Sequence, residues 1–194
     1  MVPVILASTS KYRRKLMNDA GFSVECVDPD FEEIRVPGVH PFVQIGEFAQ
    51  GKARSVAKFY SESIVIGSDQ GLVYGDELLG KPGTIEAACA QLMHLRGKTA
   101  ILATSLVVIL GNRQMAYQDQ ARLHFRGNMS DHAIRRYVEA DLPLDCAGSF
   151  KIESRGVRLF DRIECVDPTA IQGLPMMKLN EMLVELMPEI DLVF

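Results

Sequence analysis

The chain has 194 residues, 47% hydrophobic and 24% charged, with a net charge of −4, a composition that suits a globular domain with a substantial core. A mildly acidic chain argues against a general nucleic-acid binder, whose affinity comes from neutralising phosphates, and no apolar run approaches the ~20 residues that a membrane span needs. Any anion site must therefore be local, and neither a nucleic-acid nor a membrane partner is expected.

In chain order, residues 3–7 (PVILA) read as a first strand and residues 11–20 as a helix capped by Ser10. Residues 22–27 read as a second strand, and the acidic, turn-rich residues 28–40 as a loop. Pro41 opens a long helix over residues 41–60. Residues 63–67 read as a short β-branched strand, with Ser68, Asp69 and Gln70 at its tip. Residues 72–74 and 78–79 flank Gly75-Asp76 as a hairpin. A helix over 85–95, a long apolar strand over 99–110, and a Gly111-Asn112 turn into an alternating strand ending at Phe125 come next. Ser130 caps a helix running to Ala140, residues 156–164 read as strand, and residues 175–187 as a closing helix. Long crossovers imply parallel strand pairs and tight turns antiparallel ones, so the expected fold class is α/β with a mixed sheet in a single domain over residues 1–194.

The four cysteines are scattered without a CxxC pair, as expected for free thiols in a reducing cytoplasm. The histidines show no metal-ligand spacing, and HExxH, GxSxG and GxGxxG are all absent. GDELLGKP matches the start of a phosphate-binding P-loop, but Pro82 stands where that loop needs Ser or Thr and a backbone N–H. The P-loop reading fails, while Lys81, held extended before proline, remains suited to reach a phosphate.

Three segments carry chemistry. In ASTSKYRRKLM, Lys11, Arg13, Arg14 and Lys15 crowd the start of a helix, which already presents the positive pole of its dipole. Solvated surface charge is one reading; a polyphosphate bound by serine hydroxyls, helix N–H groups and arginines is the other. Arg13→Ala is expected to weaken triphosphate binding and to stabilise the free protein by ~0.3–1 kcal/mol at low salt, because it removes a cation from the positive helix pole. In IVIGSDQG, Asp69 at a strand end is either a turn aspartate or a site residue. In DPDFEEI, Glu33 together with Asp69 could offer hard oxygens to Mg²⁺ or Mn²⁺. Lys52, midway along the long helix, is a further cation.

ASTSxxRRxLM, FEE, AxxKA-like spacing around Lys52, IGSDQ, GKP, CAGSFKIE and GLPM occur in this order over nearly the whole chain. The ordered set closely resembles the Maf family of nucleoside triphosphate pyrophosphatases, and SDQ with AGSFKxE resembles the branch acting on 7-methyl-GTP. The resemblance implies a twisted mixed sheet flanked by helices, two lobes with a cleft, a homodimer, a divalent metal and a nucleoside triphosphate substrate. It makes Asp69 the proton acceptor, places Ser8, Arg13, Arg14, Lys52 and Lys81 along the triphosphate, and sets Glu33 beside Asp69 at the metal. Tyr12, Gln70 and Glu153 fall at positions tied to base choice, although Tyr12 also belongs to an i, i+4 stripe with Leu16 and Ala20 that would suit core packing. The chain departs from the family pattern in Glu32-Glu33 for Asp-Glu, in a longer FRGNMS segment and in Cys165 for Gly. The alternatives are a dTTP/UTP pyrophosphatase on the same scaffold and a non-catalytic nucleotide-binding regulator of cell division.

Overall fold

The computed structural model describes residues 2–188. Seven strands form one mixed sheet, β1 Val4–Ala7, β2 Val24–Val27, β3 Ile64–Tyr74, β4 Glu77–Leu79, β5 Thr99–Leu110, β6 Arg113–Phe125 and β7 Phe160–Glu164. Five α-helices accompany them, α1 Lys11–Asp19, α2 Pro41–Ala57, α3 Ile85–Leu95, α4 Asp131–Asp141 and α5 Met176–Leu186. The strand order is β2-β1-β3-β5-β6-β7, with β4 paired to β3 off this path. β1 runs parallel to both β2 and β3, while β3–β4 and β6–β7 are antiparallel. The mixed α/β reading holds. Among the described residues no helix is long and apolar enough to cross a membrane.

The chain divides into two compact units. The first comprises the chain up to Asp69, Thr104–Asp119 and the chain from Asp167; the second comprises Gln70–Ala103 and Gln120–Val166.

In the first unit, strand alternation sends successive side chains to opposite faces. Leu6, Ile64, Ile66, Leu106 and Val108 pack under Leu16 and Met17 of α1 and Leu179, Met182, Leu183 and Leu186 of α5. On the other face, Ile5, Ala7 and Val65 meet Val56 of α2, and Val107 and Ile109 meet Ala49 and Ala53. The apolar stripes of α1, α2 and α5 thus cover both faces of the parallel strands, which explains their continuous hydrophobicity.

In the second unit, α3 and α4 pack together. Phe150 and Phe160 meet edge to face at 5.0 Å, and Phe160 lies 4.7 Å from Phe125. Buried Asp141 ends α4 and accepts from Arg155 Nη1 at 2.7 Å and from the Arg155 backbone at 2.9 Å. Burial alone would raise its pKa, but hydrogen bonds from Arg155 and Ser154 outweigh that and hold it below the ordinary carboxylate value.

Two boundaries differ from the sequence reading in ways that matter. The strand expected to stop at Gly67 continues without a break to Tyr74, so Asp69 lies inside β3 rather than at its tip. The polar run Ser68-Asp69-Gln70 imitates a turn, yet Ser68 and Asp69 are buried with partners of their own. Residues 156–159, read as strand, belong to the 3-10 turn Arg155–Leu159, and only Phe160–Glu164 is extended.

Candidate active site

The site in the first unit is assembled around Gly67. A Cβ at this position would stand 2.5 Å from the Ala49 carbonyl and 2.7 Å from Ala53 Cβ, closer than side chains approach. The missing side chain lets α2 lie directly on β3. Lys52, beside Ala53, thereby reaches Asp69, which shares the strand face of Gly67 two residues on. Lys52 Nζ sits 2.5 Å from Asp69 Oδ1 and 2.5 Å from Glu33 Oε1.

Glu33 arrives on the acidic loop, which α2 anchors twice. The Phe31 ring fills the space that a side chain on Gly51 would need, with Cε2 2.1 Å from where a Cβ would stand. Gln44 clamps the far end, accepting from the Val36 backbone at 2.9 Å and donating to the Val39 carbonyl at 2.8 Å. Phe31 and Gln44 bracket Glu33, so the loop delivers its carboxylate to Lys52 without secondary structure of its own.

On the other side stands Arg13. Ser10 caps α1 and accepts from the Arg13 backbone at 3.4 Å. The guanidinium folds back, donating from Nε to the Gly173 carbonyl at 2.8 Å and from Nη1 to Ser8 Oγ at 3.2 Å. The Ser68 hydroxyl donates to the same Gly173 carbonyl at 2.8 Å. Gly173 follows the 3-10 turn Pro168–Gln172 with φ of 103°, a left-handed conformation that favours glycine. A Cβ there would also press on Arg13 Nε at 3.2 Å.

Electrostatics follow from this geometry. Burial pushes the Asp69 carboxyl above the ordinary carboxylate value, against the opposing pull of Lys52 and Arg13. Burial lowers the Arg13 guanidinium, and the charges of Asp69 and Glu33 hold it up; an arginine stays protonated throughout. The result is an aspartate of raised basicity flanked by fixed positive charge, an arrangement suited to accepting a proton near an anionic substrate.

Ser8, Arg13, Glu33, Lys52 and Asp69 come together. The rest are distributed. Arg14 is exposed on α1, and Tyr12 is half-buried with Lys11 Nζ 5.0 Å from its ring centre, outside the core cluster that holds Leu16. Gln70, Lys81 and Glu153 belong to the second unit, Gln70 half-buried on β3 and the other two exposed. Within that unit Gln91 of α3 donates to the carbonyl of Gly80, next to Lys81, at 3.1 Å and accepts from buried Ser149 at 2.5 Å. Gln91, Gln44, Gly51 and Gly173 had no signal of their own in the sequence except that Gly173 opens GLPM.

The cationic start of α1 resolves residue by residue. Lys15 pairs with Asp19 one turn on, Arg14 faces water, and Arg13 turns toward the carboxylates. Arg13 is therefore an attractive partner rather than a source of repulsion, and the expectation that its removal stabilises the free protein is reversed. Arg13→Ala should lower stability by ~1–3 kcal/mol, since its charged hydrogen bonds to Gly173 and Ser8 are lost. Thermal denaturation of the ligand-free variant checks the sign.

Among the described residues no three His, Cys, Asp or Glu side chains converge as a ready-made metal site. Glu33 and Asp69 do offer two converging carboxylates. That donor set fits Mg²⁺ or Mn²⁺, which are commonly held by one or two carboxylates while substrate phosphates and water complete the shell.

A family model described as Maf-like protein matches residues 3–186. A 7-methyl-GTP pyrophosphatase of Bdellovibrio bacteriovorus is 42% identical over 182 residues, covering 93% of this chain and 95% of its own. One of the same name from Aromatoleum aromaticum is 41% identical and covers 93% of each chain. Among solved structures, a HAM1 protein from Coxiella burnetii superposes with a TM-score of 0.52 over 95% of this chain and all of its own, at 14% identity. That likeness extends to the fold.

Proposed function

The chain belongs to the Maf family, and from that membership and the geometry around Asp69 we propose that it hydrolyses 7-methyl-GTP to 7-methyl-GMP and pyrophosphate. The observation that carries this reading is the convergence of Glu33, Lys52 and Asp69, with Arg13 and Ser8 alongside. The names of the relatives support the substrate.

In the reaction, water attacks the α-phosphorus and the bond to the bridging oxygen of the leaving pyrophosphate breaks. Asp69 orients that water and takes its proton; burial makes the carboxylate a stronger base than one in water. Arg13 and Lys52 stabilise the charge that builds on the phosphate oxygens, with Ser8 donating a hydrogen bond. Arg14 and Lys81 are assigned to the same triphosphate by the family pattern. Glu33 and Asp69 would hold Mg²⁺ or Mn²⁺, which supplies Lewis-acid polarisation of the phosphate when bound. A cytoplasmic homodimer is the expected working form.

Methylation at N7 gives guanine a positive charge. Such a ring is drawn to an aromatic face and to a carboxylate, roles open to Tyr12 and Glu153, while Gln70 can hydrogen-bond a base edge. Incubating the protein with Mg²⁺ and 7-methyl-GTP, GTP, dTTP or UTP, and quantifying pyrophosphate, tests the assignment. Fastest release is expected from 7-methyl-GTP. A preference for dTTP or UTP would overturn the substrate, and tight binding without turnover would identify a nucleotide sensor. Glu153→Gln keeps the shape and removes the charge. It should cut the preference for 7-methyl-GTP over GTP by about ten-fold, equivalent to ~1.4 kcal/mol; unchanged selectivity removes Glu153 from base recognition.

A further inference from the structure

We propose that Lys52 is a stand-in for the divalent cation. In the metal-free protein it holds Glu33 and Asp69 together; when metal enters, it yields both carboxylates and carries its charge to the substrate phosphates. The proposal rests on the reading of Glu33 and Asp69 as the metal ligands.

The geometry points to exchange rather than coexistence. One ammonium lies 2.5 Å from Glu33 Oε1 and 2.5 Å from Asp69 Oδ1, so a positive charge already stands between the two carboxylates where a bridging hard cation would sit. No third carboxylate stands ready to replace them, since no larger acidic cluster exists among the described residues. Lys52 is also suited to leave. Its ammonium is a point charge on a flexible stem, unlike the rigid fork of arginine. The Lys52 and Asp69 side chains are each 11% exposed, but that of Glu33 is 45% exposed, so the trio opens to water on the Glu33 side.

Charge balance sets the order of events. Lys52 and Arg13 together neutralise Glu33 and Asp69. A dipositive ion added to this set without anionic ligand meets two cations already in place, and the displaced ammonium has no anion to go to, which opposes binding. Triphosphate reverses that balance by giving the displaced ammonium a partner. Metal and nucleotide should therefore enter together, and the free protein should bind metal weakly.

The test is direct titration of Mn²⁺ onto the protein without nucleotide, followed by electron paramagnetic resonance of the free ion. Lys52→Gln should bind Mn²⁺ at least about ten-fold more tightly than wild type, and Glu33→Gln in the Lys52→Gln background should abolish the gain. Lys52→Arg keeps a cation and so guards against a folding artefact. Its guanidinium can grip both carboxylates without withdrawing, so it should bind Mn²⁺ more weakly than wild type. Folded Lys52→Gln with unchanged or weaker affinity, or Lys52→Arg with tighter affinity, would overturn the exchange. In that case a loss of Mn²⁺ binding on Glu33→Gln alone would leave the ligand assignment standing. If Glu33→Gln changes nothing in either background, the ligand assignment itself is wrong and the exchange falls with it.

Discussion

Asp69→Asn should reduce kcat/KM for nucleotide hydrolysis by ~10²–10⁴-fold while leaving the protein folded, the effect typical of losing a general base. Asparagine keeps the size of the side chain and an oxygen for the Lys52 ammonium, and Lys52 retains Glu33. The buried position in β3 therefore loses a charge and not a contact. Acid dependence gives the sharper readout. Activity needs the ionised carboxylate, so it is lost as pH falls through the folded-state pKa of Asp69. Burial moves that pKa above the ordinary value of 3.8, and the acid limb of the wild-type kcat/KM profile should lie correspondingly above the usual carboxylate range. In Asp69→Asn this limb should vanish. A variant keeping more than about a tenth of wild-type turnover would show that another group takes the proton.

Much of this site could be read from residue types, and the unread part has a physical cause. Arg13 stood out by the crowding of cations at a helix pole and Asp69 by following an apolar strand, while Ser8, Glu33 and Lys52 gained their roles mainly from the ordered set of motifs that resembles the family. Their mutual geometry depends on residues with no chemistry of their own. Gly67 admits α2 to the sheet and Gly51 admits the Phe31 ring, yet a glycine in sequence does not say which backbone or ring will fill the space it leaves. Gly173 is 160 residues from Arg13, and no local pattern joins them. The misread of β3 has a similar origin. Ser-Asp-Gln has turn composition, and only tertiary partners for Ser68 and Asp69 make it worth keeping as strand. The continuous apolar runs of β1 and β5 and the alternation in β6 needed no such partners and were legible from the sequence pattern. The direction of Arg13 was not, because the sequence shows the cation and the helix pole but not the two carboxylates it faces.

Lys52→Met should lower the stability of the metal-free protein by ~3 kcal/mol at neutral pH. This is the low end of the cost of removing one partner from a buried ion pair, since Glu33 keeps much of its side chain in water. Methionine retains most of the aliphatic stem, so the packing of α2 on β3 survives and the loss reports charge. Its pH dependence separates the two contributions. Asp69 already has a raised folded-state pKa, with desolvation as the main cause and Lys52 as the largest opposing influence. A raised pKa means the folded state holds more protons than the unfolded one, so stability falls as pH rises through that range and is fully present below the unfolded-state value. Removing Lys52 raises the pKa further and steepens the fall. The difference in melting temperature between wild type and Lys52→Met should therefore be largest at pH 8 and should shrink as acid neutralises Asp69 and Glu33. A difference independent of pH would assign the loss to packing, and the ammonium would then contribute little to holding the carboxylates. The predicted behaviour ties stability to function at one atom: with Lys52 gone the two carboxylates repel until a proton or another cation joins them, so the same charge arrangement that weakens the variant prepares a place for a cation beside the base.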